Sequence, residues 1–299
     1  MVLASEVARL LNVELRCGDV ALDKVCPLTE AEPGCLAFAN ACPPEVAATL
    51  NRVGGSFIIA GSDVLDGRLA VPHVVVTRPR LAFARAVAAF FTARRPAAIA
   101  PTSVIGKNVR LGAEVSIGHY CVIGDNVTIG DRSEIRHHVV IADNVVIGAD
   151  CLIKSHAVVG EEGFGIVYDE EDRTVRVPHL GRLVIGDRVE IGAFNSVCRA
   201  TIGTTLLGDG VKADDHVHFS HNCLVEHDSI LTAHSEVGAQ VRVGHHAWFG
   251  PNSCTIEKTQ IEPWGFIGIG STVVRDVGPE TIVSGNPARY VRLRDKDKE

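Results

Sequence analysis

From Ile105 onward an aliphatic residue returns at every sixth position, through Leu111, Ile117, Ile123, Ile129, Ile135, Ile141, Ile147 and Ile153 to Val159. Neither the 3.6-residue turn of an α-helix nor plain strand alternation repeats at six. Short strands joined by tight turns do, and three hexads close one triangular coil of a parallel β-helix. Residues eighteen apart then stack at the strand spacing of about 4.8 Å. The aliphatics form a continuous inward column. The glycines that follow several of them, among them Gly106, Gly118 and Gly130, are expected with Asn and Asp to turn the corners at positive φ.

The register breaks at residues 160–181, an inserted loop, and resumes at Ile185, Ile191 and Val197. After a second slip near residues 201–206 it runs from Leu207 and Ala213 through Phe219 and Val225 to Ile267 and Val273. Residues 99–278 are therefore expected to form the β-helix and 279–299 a cap and tail. Residues 1–98 carry no ladder. Helical patterns at 5–11, with Ser5 as N-cap, and at 80–91 alternate with the strand-like GGSFIIAG and AVPHVVVT, which predicts a small α/β domain. A Pro- and Ala-rich stretch, RRPAAIAPTS, is the expected linker.

With 46% apolar and 22% charged residues the chain can bury real cores. A net charge of -7 and the lack of a dense basic segment argue against a nucleic-acid partner. No apolar run reaches the roughly 18 residues of a membrane span, and the N-terminus has no secretory pattern, so a cytoplasmic protein is expected. Nine cysteines without a C-x-x-C pair read as small apolar fillers, not a disulfide framework.

Polar chemistry concentrates in GDGVKADDHVHFSHNCLVEHD. His221 lies two positions after the inward Phe219 and His216 three after the inward Ala213, so neither occupies the core column. A neutral imidazole at His221 suits a general base that takes the proton of an attacking amine, with Asp214 or another carboxylate fixing its tautomer. His216, His218 and Asn222 are neighbouring candidates for substrate contact. A zinc reading uses the His216-x4-His221 spacing, which resembles γ-class carbonic anhydrases, with His179 or His234 as the third ligand; the preferred assignment has no metal and no bound cofactor.

The order of a small α/β domain, a hexad ladder interrupted by EEGFGIV and VPHLGRLVIGDRVEIGA, and then GDGVKADDHVHFSHNCLV resembles the UDP-3-O-acylglucosamine N-acyltransferases of lipid A synthesis. That resemblance supplies the left-handedness of the β-helix, which periodicity alone leaves open. It implies a homotrimer with sites between neighbouring β-helices, His221 as catalytic base, and an N-terminal domain that helps hold the uridine nucleotide. Gly163, Phe164, Gly165 and Phe38 become acceptor- and nucleotide-binding candidates. The sequence also departs from the family pattern. Lys258 stands where a second family histidine is expected, Cys198-Arg199-Ala200 replaces Asp-Arg-Gly, and FANACPPEVA lacks an expected aromatic.

The ending SGNPARYVR resembles that of coenzyme-A-dependent sugar acetyltransferases, which makes Asn286, Pro287 and Arg289 donor-binding candidates beside Lys258 and leaves the thioester donor open between acyl carrier protein and coenzyme A. The leading reading is acyl transfer to the amine of a nucleotide-linked amino sugar. Its close alternative uses acetyl-CoA and a deoxyamino sugar for a surface glycan. Readings of other classes are the zinc enzyme and a noncatalytic β-helical scaffold.

Overall fold

The computed structural model describes residues 1–61, 69–93 and 95–293, and the chain divides into two compact units, Met1–Arg94 and Arg95–Glu299. Arg95 and Ile99 already belong to the second unit, where Arg95 pairs with Glu134 at 3.0 Å and Ile99 bridges to Ile117. Among the described residues no helix is long and apolar enough to cross a membrane.

In the first unit four parallel strands, Lys24–Val25, Cys35–Ala39, Phe57–Gly61 and His73–Val76, form one sheet. The central strands are buried on both faces, which their run of Phe57, Ile58, Ile59 and Ala60 requires. Helices Ala4–Leu11, Pro44–Val53 and Pro79–Phe90 accompany the sheet, the last two carrying Pro in the first turn, where a missing N–H is harmless. Ser5 is not the N-cap: helix one begins a residue earlier, Glu6 accepts the Leu3 N–H at 2.8 Å, and the Ser5 N–H donates to Asp19. Cys26 and Cys35 are joined as a disulfide, against the expectation that cysteines are fillers. Cys121, Cys151 and Cys223 do fill the β-helix core.

The second unit is a β-helix with three parallel faces, which we number in the order the chain first visits them. Face one runs from Val104–Ile105 to Thr272–Val273, face two from Arg110–Leu111 to Gln260–Ile261, and face three from Ser116–Ile117 to Phe266–Ile267, followed by the hairpin Thr281–Ser284 and Arg289–Leu293. Equivalent residues of successive coils are 18 apart, as between Asp125 and Asp143, but 38 apart across the insertion and 22 apart across the second slip. The ladder aliphatics from Ile117 to Val273 line one core, each burial being worth about 1.5–3 kcal/mol. Ile105 of the first coil is the exception, 37% exposed.

A second inward row, two residues before each aliphatic, escaped the hexad reading because it mixes small residues: Val115, Cys121, Ser133, Asn195, Val217 and Ser229 are all buried. Several of its polar atoms are paired, Ser133 Oγ donating to the Gly148 carbonyl and Asn195 Oδ1 accepting from Val217 N, whereas Asn195 Nδ2 and Ser253 Oγ are buried without a hydrogen-bond partner.

The reason for the glycines also differs from the expectation. Positive φ falls two residues later, at Asn108, Glu114, Tyr120, Asn126, Arg132 and Asp150, and not at the glycine itself. What glycine provides is room. A Cβ on Gly118 would lie 2.7 Å from the Arg136 carbonyl of the next coil, closer than strand-spaced coils allow.

Candidate functional site

Both irregularities and His221 fall at the corner between faces one and two. The insertion leaves after Val158–Glu161 and returns into Arg182–Ile185. One coil on, residues 199–203 bulge between Ser196–Cys198 and Thr204–Leu207. On the next coil the same corner carries His221 and Asn222, between His218–Phe219 and Leu224–Val225.

The bulge and the histidine are tied through Asn222, whose φ of 60 is the left-handed conformation that Asn tolerates well. Its Nδ2 donates to the Ile202 carbonyl at 2.8 Å, and its Oδ1 accepts the Thr201 N–H at 3.0 Å. Because Oδ1 is thereby the acceptor, the His221 Nδ1 that meets it at 3.1 Å is the protonated nitrogen, with Thr201 Oγ1 alongside at 3.3 Å. Nε2 then carries the lone pair, as a general base requires.

The insertion supplies what sits against that imidazole. Its outer part is a hairpin, Ile166–Tyr168 with Thr174–Arg176, whose tip is held by Asp169; N–H donors from Arg173 and Glu171 keep that carboxyl below the usual range. Its base brings His179 edge-on to His221, ring centroids 4.9 Å apart and planes at 82°. Gly163 passes over both rings: a Cβ there would lie 2.9 Å from His221 Cδ2 and 3.1 Å from His179 Nε2. A Cβ on Gly165 would meet His179 Cε1 at 3.0 Å. The glycines of Gly163-Phe164-Gly165 thus allow close approach to two imidazoles. Phe164 itself is 82% exposed, as are Leu180 (85%) and Ile202 (80%) on the same insertion and bulge.

The other expected site residues are distributed as follows. Asp214 is exposed at the corner between faces three and one, the far end of the strand from His221, so the tautomer of His221 is set by Asn222 and Thr201 and not by Asp214. His216 stands at that same far corner, inside a column of parallel rings formed by Tyr120, His138, His156, Phe194, His216 and His234, with successive centroids 4.7 to 5.1 Å apart. His218 points outward from face one between Ser196 and Glu236, and burial lowers its imidazole below the usual histidine range, with Glu236 acting in the opposite sense. Asn222 spends its amide inside the protein. Lys258 occupies the His221 corner two coils further on, exposed and 3.9 Å from Glu257. Asn286 and Arg289 are exposed at the C-terminal hairpin. Phe38 packs on Phe83 in the first unit, centroids 4.9 Å apart. Thr201 was missed as a site residue and His179 was considered only as a zinc ligand, since nothing in VPHLG or RATIG marks either as a partner of His221 before the fold closes.

The zinc ligand set does not assemble. His216 and His221 lie at different corners, and His221 Nδ1 is engaged by Asn222. The His and carboxylate group compact enough for a metal among the described residues is His227, Asp228 and His246, at the corner between faces two and three.

Residues 102–137 and 127–161 match the bacterial transferase hexapeptide family (six repeats). The UDP-3-O-acylglucosamine N-acyltransferase of Neisseria meningitidis serogroup B is 38% identical over 257 residues, 79% of this chain and 73% of that one. The Coxiella burnetii enzyme of the same name is 31% identical over 233 residues, 72% of this chain and 67% of that one. Shorter matches span 24% of the Methylococcus capsulatus relative and 40% of the Helicobacter hepaticus relative. Among solved structures, the UDP-N-acetylglucosamine O-acyltransferase of Moraxella catarrhalis superposes with a TM-score of 0.61 at 30% identity, over 67% of this chain and 76% of that one. The Francisella novicida UDP-N-acetylglucosamine acyltransferase does so with a TM-score of 0.61 at 25% identity, over 66% and 70%. Together with the three-faced coils, these matches define a left-handed β-helix of the hexapeptide-repeat class. Within that class the chain belongs to the UDP-3-O-acylglucosamine N-acyltransferase family.

Proposed function

We propose that this chain transfers an acyl group from a thioester to the amine of UDP-3-O-acylglucosamine, as the name of its relatives describes, and that His221 is the base. The observation that carries this reading is the tautomer: Asn222 Oδ1 holds the proton on Nδ1, leaving Nε2 to take one. The amine nitrogen attacks the thioester carbonyl, Nε2 accepts the N–H proton, and the C–S bond breaks to release the thiol on protonation. Such proton transfer contributes about 10²- to 10⁴-fold. The exposed Phe164, Leu180 and Ile202 offer apolar surface suited to an acylated sugar. Lys258, on the same corner, offers a cation for a phosphate of an acyl carrier protein or coenzyme A donor, with Asn286 and Arg289 as further donor contacts. Phe38 remains the nucleotide-binding candidate of the first unit. The reading includes a homotrimer, since one helix edge makes half a cleft and a neighbour completes it, and a place in the cytoplasm.

The test is transfer activity of wild type and His221→Ala against UDP-3-O-acylglucosamine and other nucleotide amino sugars, with both donor types. Transfer from carrier protein that is lost in the variant supports the reading. Activity confined to acetyl-CoA and a different sugar moves the enzyme to surface-glycan synthesis, and undiminished activity of the variant removes His221 from the mechanism.

A further inference from the structure

His179 is 1% exposed, yet its two ring nitrogens are treated very differently. Nδ1 lies 2.9 Å from the Val177 carbonyl, which can only accept, so Nδ1 carries the proton. Nε2 is left with the lone pair, buried and without a hydrogen-bond partner. An orphaned acceptor of this kind costs about 1–3 kcal/mol, and native folds keep few of them. This one lies against the base: the point 3.1 Å from His179 Nε2 where Gly163 would carry a Cβ is also 2.9 Å from His221 Cδ2.

We propose that His179 is a positioning residue for the transfer step, a neutral imidazole that stabilises His221 while His221 holds the proton taken from the amine. The inference rests on His221 being the base. The two rings meet edge to face, so the electron density of the neutral ring, its Nε2 lone pair or its π face, is set against the ring that becomes cationic. Among the described residues of the segments around His221, the other charged side chains are paired or exposed. Arg176 is bound to Glu162 and the Gly163 carbonyl, Arg199 to the Gly160 carbonyl, and Lys258 lies beside Glu257. At the hairpin tip Asp169, Glu171 and Arg173 pair with one another, and Glu161 is exposed. The lone pair sits in low dielectric, where its effect on a transient charge is larger than in water. Gly163 is the residue that lets the loop close over the pair without pushing the rings apart.

The experiment compares His179→Leu, which fills the space without an acceptor, with His179→Gln, whose amide oxygen reaches the Nε2 position. His179→Met repeats the apolar arm with a different shape should the Leu variant not fold. The Leu variant is expected to lose about 10- to 100-fold in kcat, the size of effect seen for groups that orient a reacting one, with KM within about twofold and Tm within about 4 °C, roughly 1–2 kcal/mol for a chain of this size. The Gln variant is expected within about threefold of wild type. Independently of activity, the ¹H–¹⁵N NMR titration of His221 should move to lower pH by about half a unit in the Leu variant, and by less in the Gln variant. A wild type inactive with every donor and acceptor would defeat the acyltransfer reading and leave the NMR titration to decide the pairing. A Leu variant with an unchanged His221 titration overturns the proposal, as does equal loss of kcat in the Leu and Gln variants, which would mark His179 as structural packing.

Discussion

His216 and His221 are five residues apart on one coil, at the two ends of the strand His218–Phe219, yet they are put to opposite uses. At the corner between faces three and one the chain repeats without interruption in ring placement. His216 lies parallel to Phe194 on one side and His234 on the other, within 4° of both planes. At the corner between faces one and two the chain is interrupted twice. His221 there meets another imidazole at 82°, and its Nδ1 is locked by a side chain that also pins the bulge. Regular stacking satisfies a ring by covering its faces. An irregular corner breaks the column and presents a ring edge with a defined tautomer, which is what proton transfer needs.

The largest effect should come from His221→Ala, with kcat/KM down about 10²- to 10⁴-fold, against His216→Ala, which should stay within about threefold and cost about 0.5–1.5 kcal/mol of stability from lost stacking. Equal effects at the two positions would abolish the distinction between the corners. Gly163→Ala comes next. Its Cβ would press on both imidazoles, so activity should fall about tenfold or more alongside about 1–3 kcal/mol of overpacking strain, measured by urea unfolding. Asn222→Ala should then cost about 1–3 kcal/mol through the orphaned Thr201 N–H and Ile202 carbonyl, and lower kcat more than it raises KM because the His221 tautomer is released. If the variant unfolds with wild-type Tm, the bulge is held by something other than Asn222.

Two smaller effects concern the wall next to the corner. Burial depresses His218 in the folded state, so below the ordinary histidine range of about 6.5 the unfolded chain binds the extra proton first. Stability is then complete above that value and is lost as pH falls toward the folded-state value. His218→Asn should therefore flatten the decline of Tm between pH 7 and pH 5, and an unaltered slope would place the acid sensitivity elsewhere. Finally, burial pushes the Cys223 thiol up to about 12. Alkylation of native protein at pH 8 should modify the exposed Cys17 and spare Cys223 until denaturant is added.

The β-helix was legible from the hexads because one buried aliphatic per short strand is a strong periodic signal, and the break at 160–181 pointed to the loop without knowing what it covered. The candidate base was legible for a related reason: phase alone placed His221 off the core column. The partners were not. Asp214 was favoured by nearness in sequence, but in a coil of three short strands six or seven residues carry the chain to the next corner. Asn222 is adjacent to His221 and looked like a substrate contact, yet its amide is consumed by Thr201 and Ile202, some twenty residues earlier. The glycines were assigned to positive φ when the constraint was room for the next coil, since a repeat shows where glycine recurs and not which atoms approach it.

The sequence by itself determined the repeat, the inward column, the location of the interruptions and the histidine that stands clear of the core, because each is a matter of period and phase along the chain. Only the tertiary structure decided that His179 lies against His221, that Asn222 sets its tautomer, and that Gly163 fits over both. His179 and Gly163 reach His221 from two coils away, and Asn222 is fixed by Thr201 and Ile202 of the coil before it, so all three depend on the alignment set by the 20 and 4 residues that the two interruptions add to the 18-residue coil repeat, and such contacts exist only once the coils have stacked.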